Sequence, residues 1–382
     1  MAPKVTEEQV LGALRTVIDP DLGKDIVTLG MIKDMRIKGA DVAFTFELTT
    51  PACPIKDQFK EVAADAIRRL VPGVGAVEVT MTAQVPVGQQ GGETLIPGVR
   101  NTVAVASGKG GVGKSTVALN LAVALSQLGA RVGLLDLDIY GPSLPTLAGV
   151  NEHPVWGDNN KILPLDAHGM KVMSLGFLLG DDDRPVIWRG PMVHKAVSQM
   201  LGDVEWGELD YLVLDLPPGT GDAQLTLAQL IPLSGVVIVM TAQDLTRTIA
   251  AKALKMFQKL EAPILGIVEN MSTFICPSCG AEHEIFGVRG GGRAAAEQLG
   301  VPFLGTLPLD PEIVKSSDAG VPYVTAHPDR PAAQAFREVA GLVAARISVQ
   351  TLRGADAPAV QQTRDELRKA IHDAQAEAAA KV

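Results

Sequence analysis

Ser107-Gly108-Lys109-Gly110-Gly111-Val112-Gly113-Lys114-Ser115-Thr116 decides the fold of this chain. The run satisfies G-x-x-x-x-G-K-[ST], the glycine-rich loop whose backbone N–H groups surround the phosphates of a nucleotide. A side chain at its glycines would hold the backbone off the phosphate oxygens, and glycine takes positive φ without steric cost. Lys114 is placed to reach the β- and γ-phosphates, and the Ser115 hydroxyl to ligate Mg²⁺. The flanks agree with this reading. Residues 102–106 read as a buried strand, and 114–128 as a helix with Val117, Leu121, Ala124, Leu125 and Leu128 at helical spacing. The phosphates would then sit on that helix's N-terminus.

Working outward, apolar strand runs at 102–106, 131–135, 171–175, 210–215, 235–240, 264–269 and 303–307 alternate with helical patterns. Such alternation implies right-handed crossovers and a mostly parallel sheet covered by helices on both faces, the α/β architecture of a P-loop NTPase. Upstream, Thr6-Glu7-Glu8-Gln9 forms a capping-box pattern opening a helix with Val10, Leu11, Leu14, Val17 and Ile18 on one face, stopped by Asp19-Pro20. Strand patterns at 31–37 and 41–48, a helix over 54–70 and a strand over 74–82 complete a small α+β domain. The expected division is residues 1–83 for this domain, 84–97 as linker, 98–349 as the ATPase domain and 350–382 as a charged, Ala-rich tail.

The chain has 382 residues, 47% of them hydrophobic but only 4% aromatic, so its cores are built from Ala, Val, Leu and Ile. A net charge of −9 argues against a nucleic-acid-coating surface. No run approaches the roughly 20 apolar residues of a membrane span, and the opening Met1-Ala-Pro-Lys4 lacks a secretory pattern. Three cysteines, an odd number, make a disulfide framework unexpected. The expectation is a cytoplasmic protein.

Two carboxylate clusters fit the phosphate loop. Leu134-Leu-Asp136-Leu-Asp138 ends the second strand run and Tyr211-Leu-Val-Leu-Asp215 ends another. In an open parallel sheet the strand C-termini line the ligand crevice, so these carboxylates should converge beside the phosphates. Phosphoryl transfer needs Mg²⁺ held through carboxylate-bound water, and a group orienting the attacking water. Asp215 is assigned to Mg²⁺, Asp138 to the water, and Asp136 to support. The Gly219 N–H, after Leu216-Pro-Pro218, is placed to sense the γ-phosphate. Lys109 stands apart, because a lysine inside the loop cannot easily fold back onto the nucleotide its own backbone surrounds. It is either a solvated lysine or one received by a second protomer, where it would neutralise γ-phosphate charge across the interface.

Cys276-Pro-Ser-Cys279-Gly offers two thiolates to one metal centre, whereas a tetrahedral site or a four-iron cluster generally needs four ligands. The chain has no second C-x-x-C, and a symmetric dimer would supply the missing pair. Zinc across the same dimer, a redox dithiol, or a mixed site completed by His283 are the alternatives at this point. Cys53 falls at the expected N-terminus of a helix, where the dipole and free N–H groups stabilise a thiolate; a buried structural thiol is the competing reading.

Gly108-Lys-Gly-Gly-Val-Gly-Lys-Ser115, with its extra lysine, resembles the deviant P-loop ATPases that include MinD, ParA and the nitrogenase iron protein. Asp138-Ile-Tyr-Gly-Pro-Ser143, Trp188-Arg-Gly-Pro191, Asp215-Leu-Pro-Pro-Gly-Thr-Gly-Asp222 and Cys276-Pro-Ser-Cys279, in that order, are similar to the motifs of Mrp/ApbC-type iron–sulfur cluster carriers. The resemblance covers roughly 98–350. It implies a homodimeric ATPase, slow and Mg²⁺-dependent, that holds a 4Fe–4S cluster between the two Cys276/Cys279 pairs and hands it to apoproteins. It also implies that Lys109 is the inter-subunit signature lysine and that Asn270, with Pro308-Leu-Asp310, holds adenine. Asp19-Pro20, Asp25-Ile-Val-Thr-Leu-Gly30 and residues 49–54 resemble the small domain of metal–sulfur cluster assembly proteins, which implies a cluster- or partner-handling role for Cys53. Two other classes share the loop. A MinD/ParA-like positioning ATPase would want a basic amphipathic tail or a basic surface, and neither is present in this acidic chain. An ATP-driven electron-transfer reductase would use the same kind of bridging cluster.

Overall fold

The computed structural model describes residues 5–20, 22–53, 55–87, 95–139, 141–157, 160–179, 190–219, 230, 233–276, 279, 281–287 and 290–353. The chain divides into two compact units, one formed by Met1–Pro86 with Ser348–Val382 and the other by Val87–Ile347. Part of the expected linker and the tail from 354 onward lie outside the described residues.

In the smaller unit, helix α1 (Glu7–Leu14) opens with the capping box read from the sequence: Thr6 Oγ1 accepts from the Gln9 N–H and Gln9 Oε1 from the Thr6 N–H. The helix ends earlier than its apolar pattern suggested. The Thr16 hydroxyl bonds back to the Ala13 carbonyl and Val17 N–H to Leu14 O, tightening the chain into a turn that leaves Ile18 exposed. Strands β1 (Ile32–Lys38), β2 (Asp41–Leu48) and β3 (Val77–Ala83) form a sheet in that order, with β1 antiparallel and β3 parallel to β2. Along β2, Val42, Phe44, Phe46 and Leu48 are buried while alternate residues are not, the period-2 pattern of a strand covered on one face. Helix α2 (Lys56–Leu70) covers that face with Phe59, Ala63 and Ile67, and Phe46 meets Phe59 edge to face at 5.6 Å.

The larger unit is built on β4 (Thr102–Ser107), β5 (Val132–Asp136), β6 (Leu165–Ala167), β7 (Met170–Ser174), β8 (Tyr211–Asp215), β9 (Gly235–Met240), β10 (Ile264–Glu269) and β13 (Phe303–Thr306), in the order β13-β10-β9-β4-β8-β5-β7-β6. Every pairing is parallel except the edge pair β6–β7. Strands β4, β5, β8 and β9 are buried along their whole length, as continuous Val/Ile/Leu runs under helices on both faces must be. Helix α3 (Lys114–Gln127) is apolar all round and buried, so its place is inside the protein. Its Asn120 is tethered at both ends of the amide, donating to Thr116 O and accepting from the Val324 N–H.

Register between β5 and β8 is fastened at their N-terminal ends. The Arg131 guanidinium and backbone N–H grip Asp210, with contacts of 2.9 to 3.2 Å. The parallel ladder then runs from Val132 opposite Tyr211 to Asp136 opposite Asp215. A remaining two-stranded hairpin, β11 (Phe274–Ile275) with β12 (Glu282–His283), carries the cysteine turn.

Candidate functional site

The phosphate loop leaves the C-terminal end of β4, near the middle of the sheet, and enters α3 at Lys114. Gly111 and Gly113 both sit at φ 78°, a left-handed conformation that side chains resist. Val112 is buried and anchors the loop's outer turn, while the Ser107 hydroxyl donates to Lys109 O at 2.9 Å. Gly108 to Thr116 thus stand where the sequence places them, at the crevice end of a parallel sheet.

Four side chains meet below the loop. The Lys114 ammonium contacts the Asp215 carboxylate directly and lies 3.2 Å from the Ser115 hydroxyl. Asp136, the register partner of Asp215, accepts from the Asp138 N–H through one oxygen, and from Ser143 N–H, Leu144 N–H and the Ser174 hydroxyl through the other. Burial, reinforced by the charge on Asp215, pushes the Asp136 carboxyl up to about 7. Burial also raises Asp215, against which Lys114 pulls down. Asp138 lies close enough for its charge to act on Asp215. The cluster therefore offers hard oxygen donors and one cation in a dry crevice, the chemistry that a metal-bound triphosphate requires.

Asn270, at the end of β10, is buried, and its Nδ2 donates to Val112 O in the phosphate loop at 2.8 Å. The amide nitrogen of Asn270 is therefore committed to the loop. The expected adenine segment is joined to the same strand end: Leu309 N–H donates to Thr273 O at 2.7 Å, and Ser272 N–H to Leu307 O at 3.0 Å. Asp310 accepts from the Tyr323 hydroxyl at 2.5 Å and from Arg330. Although burial works against it, these donors hold the Asp310 carboxyl low. The Gly219 N–H donates to Ser107 O at 3.0 Å in this conformation, so sensing a phosphate would require it to exchange that partner.

Beyond Asn270 the backbone turns through Met271 at φ 54°, a left-handed value unusual for a non-glycine residue. Within a few residues it enters the cysteine hairpin. Cys276 is half-buried, with its N–H on Ala281 O at 2.9 Å, and Cys279 is exposed. Ile275 and Ile285 stand exposed beside them. His283 is exposed and pairs in register with Phe274, their rings 6.5 Å apart. Among the described residues no set of three or more His, Cys, Asp or Glu is arranged to hold a metal. Cys53 is half-buried against the core of the smaller unit, just ahead of α2. None of the three cysteines is in a disulfide.

Local spacing did not reveal Ser174, which supports Asp136; Gln243, whose Oε1 accepts from Lys109 Nζ at 3.0 Å; or Tyr323 and Arg330 on Asp310. Position at a strand end was the available signal for Ser174. The others meet their partners only through the fold.

By fold and by site this is a P-loop NTPase. A family model described as NUBPL iron-transfer P-loop NTPase matches residues 98–344, and the chain belongs to that family. A second model, described as iron-sulfur cluster assembly protein, matches residues 7–80. The chain is 47% identical to an iron-sulfur cluster carrier protein of Synechocystis, over 91% of this chain and 99% of that one. It is 48% identical to the protein of that description from Deinococcus radiodurans, over 90% of this chain and 97% of that one. Among solved structures, a nucleotide-binding protein from Archaeoglobus fulgidus in complex with ADP is similar, at 41% identity and TM-score 0.52, covering 59% of this chain and 88% of that one.

Proposed function

We propose that the protein is a cytoplasmic, homodimeric, ATP-hydrolysing carrier that receives a 4Fe–4S cluster and transfers it to apoproteins. The observation that carries this reading is a short structural path. Asn270 holds the phosphate loop through Val112 O, and six residues later comes the half-buried Cys276, followed by the exposed Cys279. One chain contributes two thiolates, so the cluster lies between two copies, each supplying Cys276 and Cys279. An exposed site suits cargo, because a cluster sealed in a core could not be handed on.

ATP binds with its phosphates in Gly108–Thr116 and its base at Asn270 and 308–310. Ser115 would hold Mg²⁺ directly and Asp215 through water, and the metal would offset the charge of the phosphates. Lys114 orients the terminal phosphates, Asp138 orients the attacking water, and Asp136 fixes the Asp138 backbone through its N–H. Lys109 reaches the nucleotide of the second copy, which makes closure of the dimer depend on ATP. Net charge −9 disfavours nucleic acid as a partner. No described helix is long and apolar enough to cross a membrane.

The test is anaerobic reconstitution with iron and sulfide, followed by metal analysis, a UV–visible spectrum, mass in solution and incubation with an apoferredoxin. About four irons per dimer and transfer on mixing are expected. A brown monomer with full iron, or a cluster that never leaves, would overturn the proposal.

A further inference from the structure

Lys109 does not lie loose in this conformation. Its Nζ donates to Gln243 Oε1 at 3.0 Å across 134 residues of sequence. Gln243 occupies the N-cap position of the helix Asp244–Lys259, where Ser, Thr, Asp or Asn usually close the first turn, and its side chain makes no cap hydrogen bond. The amide is turned to the lysine instead. Two glycines lie close against the backbone just before Gln243: a Cβ at Gly291 would come 2.6 Å from Ala242 O, and one at Gly287 3.3 Å from the same oxygen.

We infer that Gln243 is the positioning residue for Lys109, a neutral latch that holds the ammonium beside the end of β9 until a second copy takes it. The inference rests on the reading that Lys109 acts across the dimer. The choice of an amide matters. A carboxylate at 243 would hold the cation by charge as well as by hydrogen bond, and would compete with the phosphates for it. An amide oxygen satisfies one ammonium donor and yields it cheaply. The latch therefore lowers the population of chains ready to pair, and apparent dimer affinity falls by that fraction. Gly287 and Gly291 follow the cysteine hairpin in the chain, so the support under the latch belongs to the segment leaving the cluster ligands.

The experiment uses the full chain. Without nucleotide, acylation of Lys109 by acetic anhydride is followed by mass spectrometry, with Lys195 as internal reference. Gln243→Ala should raise the Lys109 rate about two- to tenfold, the range set by a typical net hydrogen bond, and Gln243→Glu should lower it. Equal rates in all three proteins overturn the latch. With Mg-ATP, Gln243→Ala should reach half-maximal dimer at about two- to tenfold lower nucleotide, and Gln243→Glu at higher. Labelling that shifts while those midpoints stay fixed also overturns it, since the contact would then hold nothing back. Lys109→Ala separates the two readings. If that variant still dimerises like the wild type, the cross-dimer role fails, whereas the labelling series continues to report the contact itself.

Discussion

Lys114 and Asp215, 101 residues apart in sequence, meet as an ion pair whose side chains are only 6% and 5% exposed. Both charges are almost excluded from water, so each depends on the other. Removing one partner of such a pair strands a buried charge and costs about 3–5 kcal/mol. Lys114→Met should therefore lower the urea midpoint in the absence of nucleotide as well as abolish ATP hydrolysis. Lys114→Met with Asp215→Leu should recover most of the stability and none of the hydrolysis, giving a strongly non-additive cycle. Phosphate release by Lys114→Met at the wild-type rate would remove the loop from the chemistry altogether.

Asp136 gives a pH dependence of definite sign. Its carboxyl is pushed from 3.8 to about 7 by burial and then by the charge on Asp215. Between about pH 4 and 7 the folded chain keeps a proton that the unfolded chain has released. Stability is therefore greatest at the low end, falls by at most about 1.4 kcal/mol per unit as pH rises, and levels off above 7. Against their burial, Asp210 is held low by Arg131 and Asp310 by the Tyr323 hydroxyl and Arg330, and both act only below this window. Urea midpoints from pH 5 to 8.5 should slope downward in the wild type and less steeply in Asp136→Ala, where the raised Asp215 carboxyl still contributes with the same sign. That variant also loses acceptors for three backbone N–H groups and will be less stable throughout, so the slope is the readout. Parallel slopes in the two proteins would reject the assignment.

The same two carboxylates show what sequence can and cannot reveal. Asp136 and Asp215 were legible because each closes a continuous apolar run, and a run of that kind has one crevice end. Their adjacency was not, because it depends on β8 inserting between β4 and β5 and on Arg131 gripping Asp210 at the far ends of the strands. The phosphate loop, its strand and its helix were legible for a related reason: glycine conformation, lysine reach and apolar period all fall within thirty residues. Strands β6, β11 and β12 were invisible, being two or three residues long and carrying no period. Gln243 was invisible because nothing in its neighbourhood marks it as the partner of a lysine in another element.

The three cysteines differ in setting. Cys276, half-buried, and Cys279, exposed, belong to the hairpin segment, whereas Cys53 packs half-buried against the core of the smaller unit. Cys276→Ala and Cys279→Ala should each give colourless protein after anaerobic reconstitution, with iron reduced to background. Cys53→Ala should keep the charge-transfer absorbance and about wild-type iron content, since sulfur-to-iron bands report the ligands alone. A brown Cys276→Ala protein would move the ligands elsewhere.

Gly113 and Asn270 form the last testable pair. Gly113 sits at φ 78°, and a Cβ placed on it would run into the Asn270 amide that holds Val112 O. Gly113→Ala thus carries two penalties: about 1 kcal/mol for a left-handed alanine, and a steric term that either breaks the Asn270 contact or lifts the loop. The two can be separated. Asn270→Ala removes the obstruction while leaving the φ cost, so Gly113→Ala should weaken ATP binding less in that background than in the wild type. A fluorescent ATP analogue titrated against the four proteins measures the coupling. Because Asn270 also begins the turn that leads into the cysteine hairpin, ATP should no longer change the rate at which a chelator strips iron from the Asn270→Ala carrier. Strict additivity in binding, or an undiminished ATP effect on stripping, would show that the phosphate loop and the thiolates are linked by some other route than this amide.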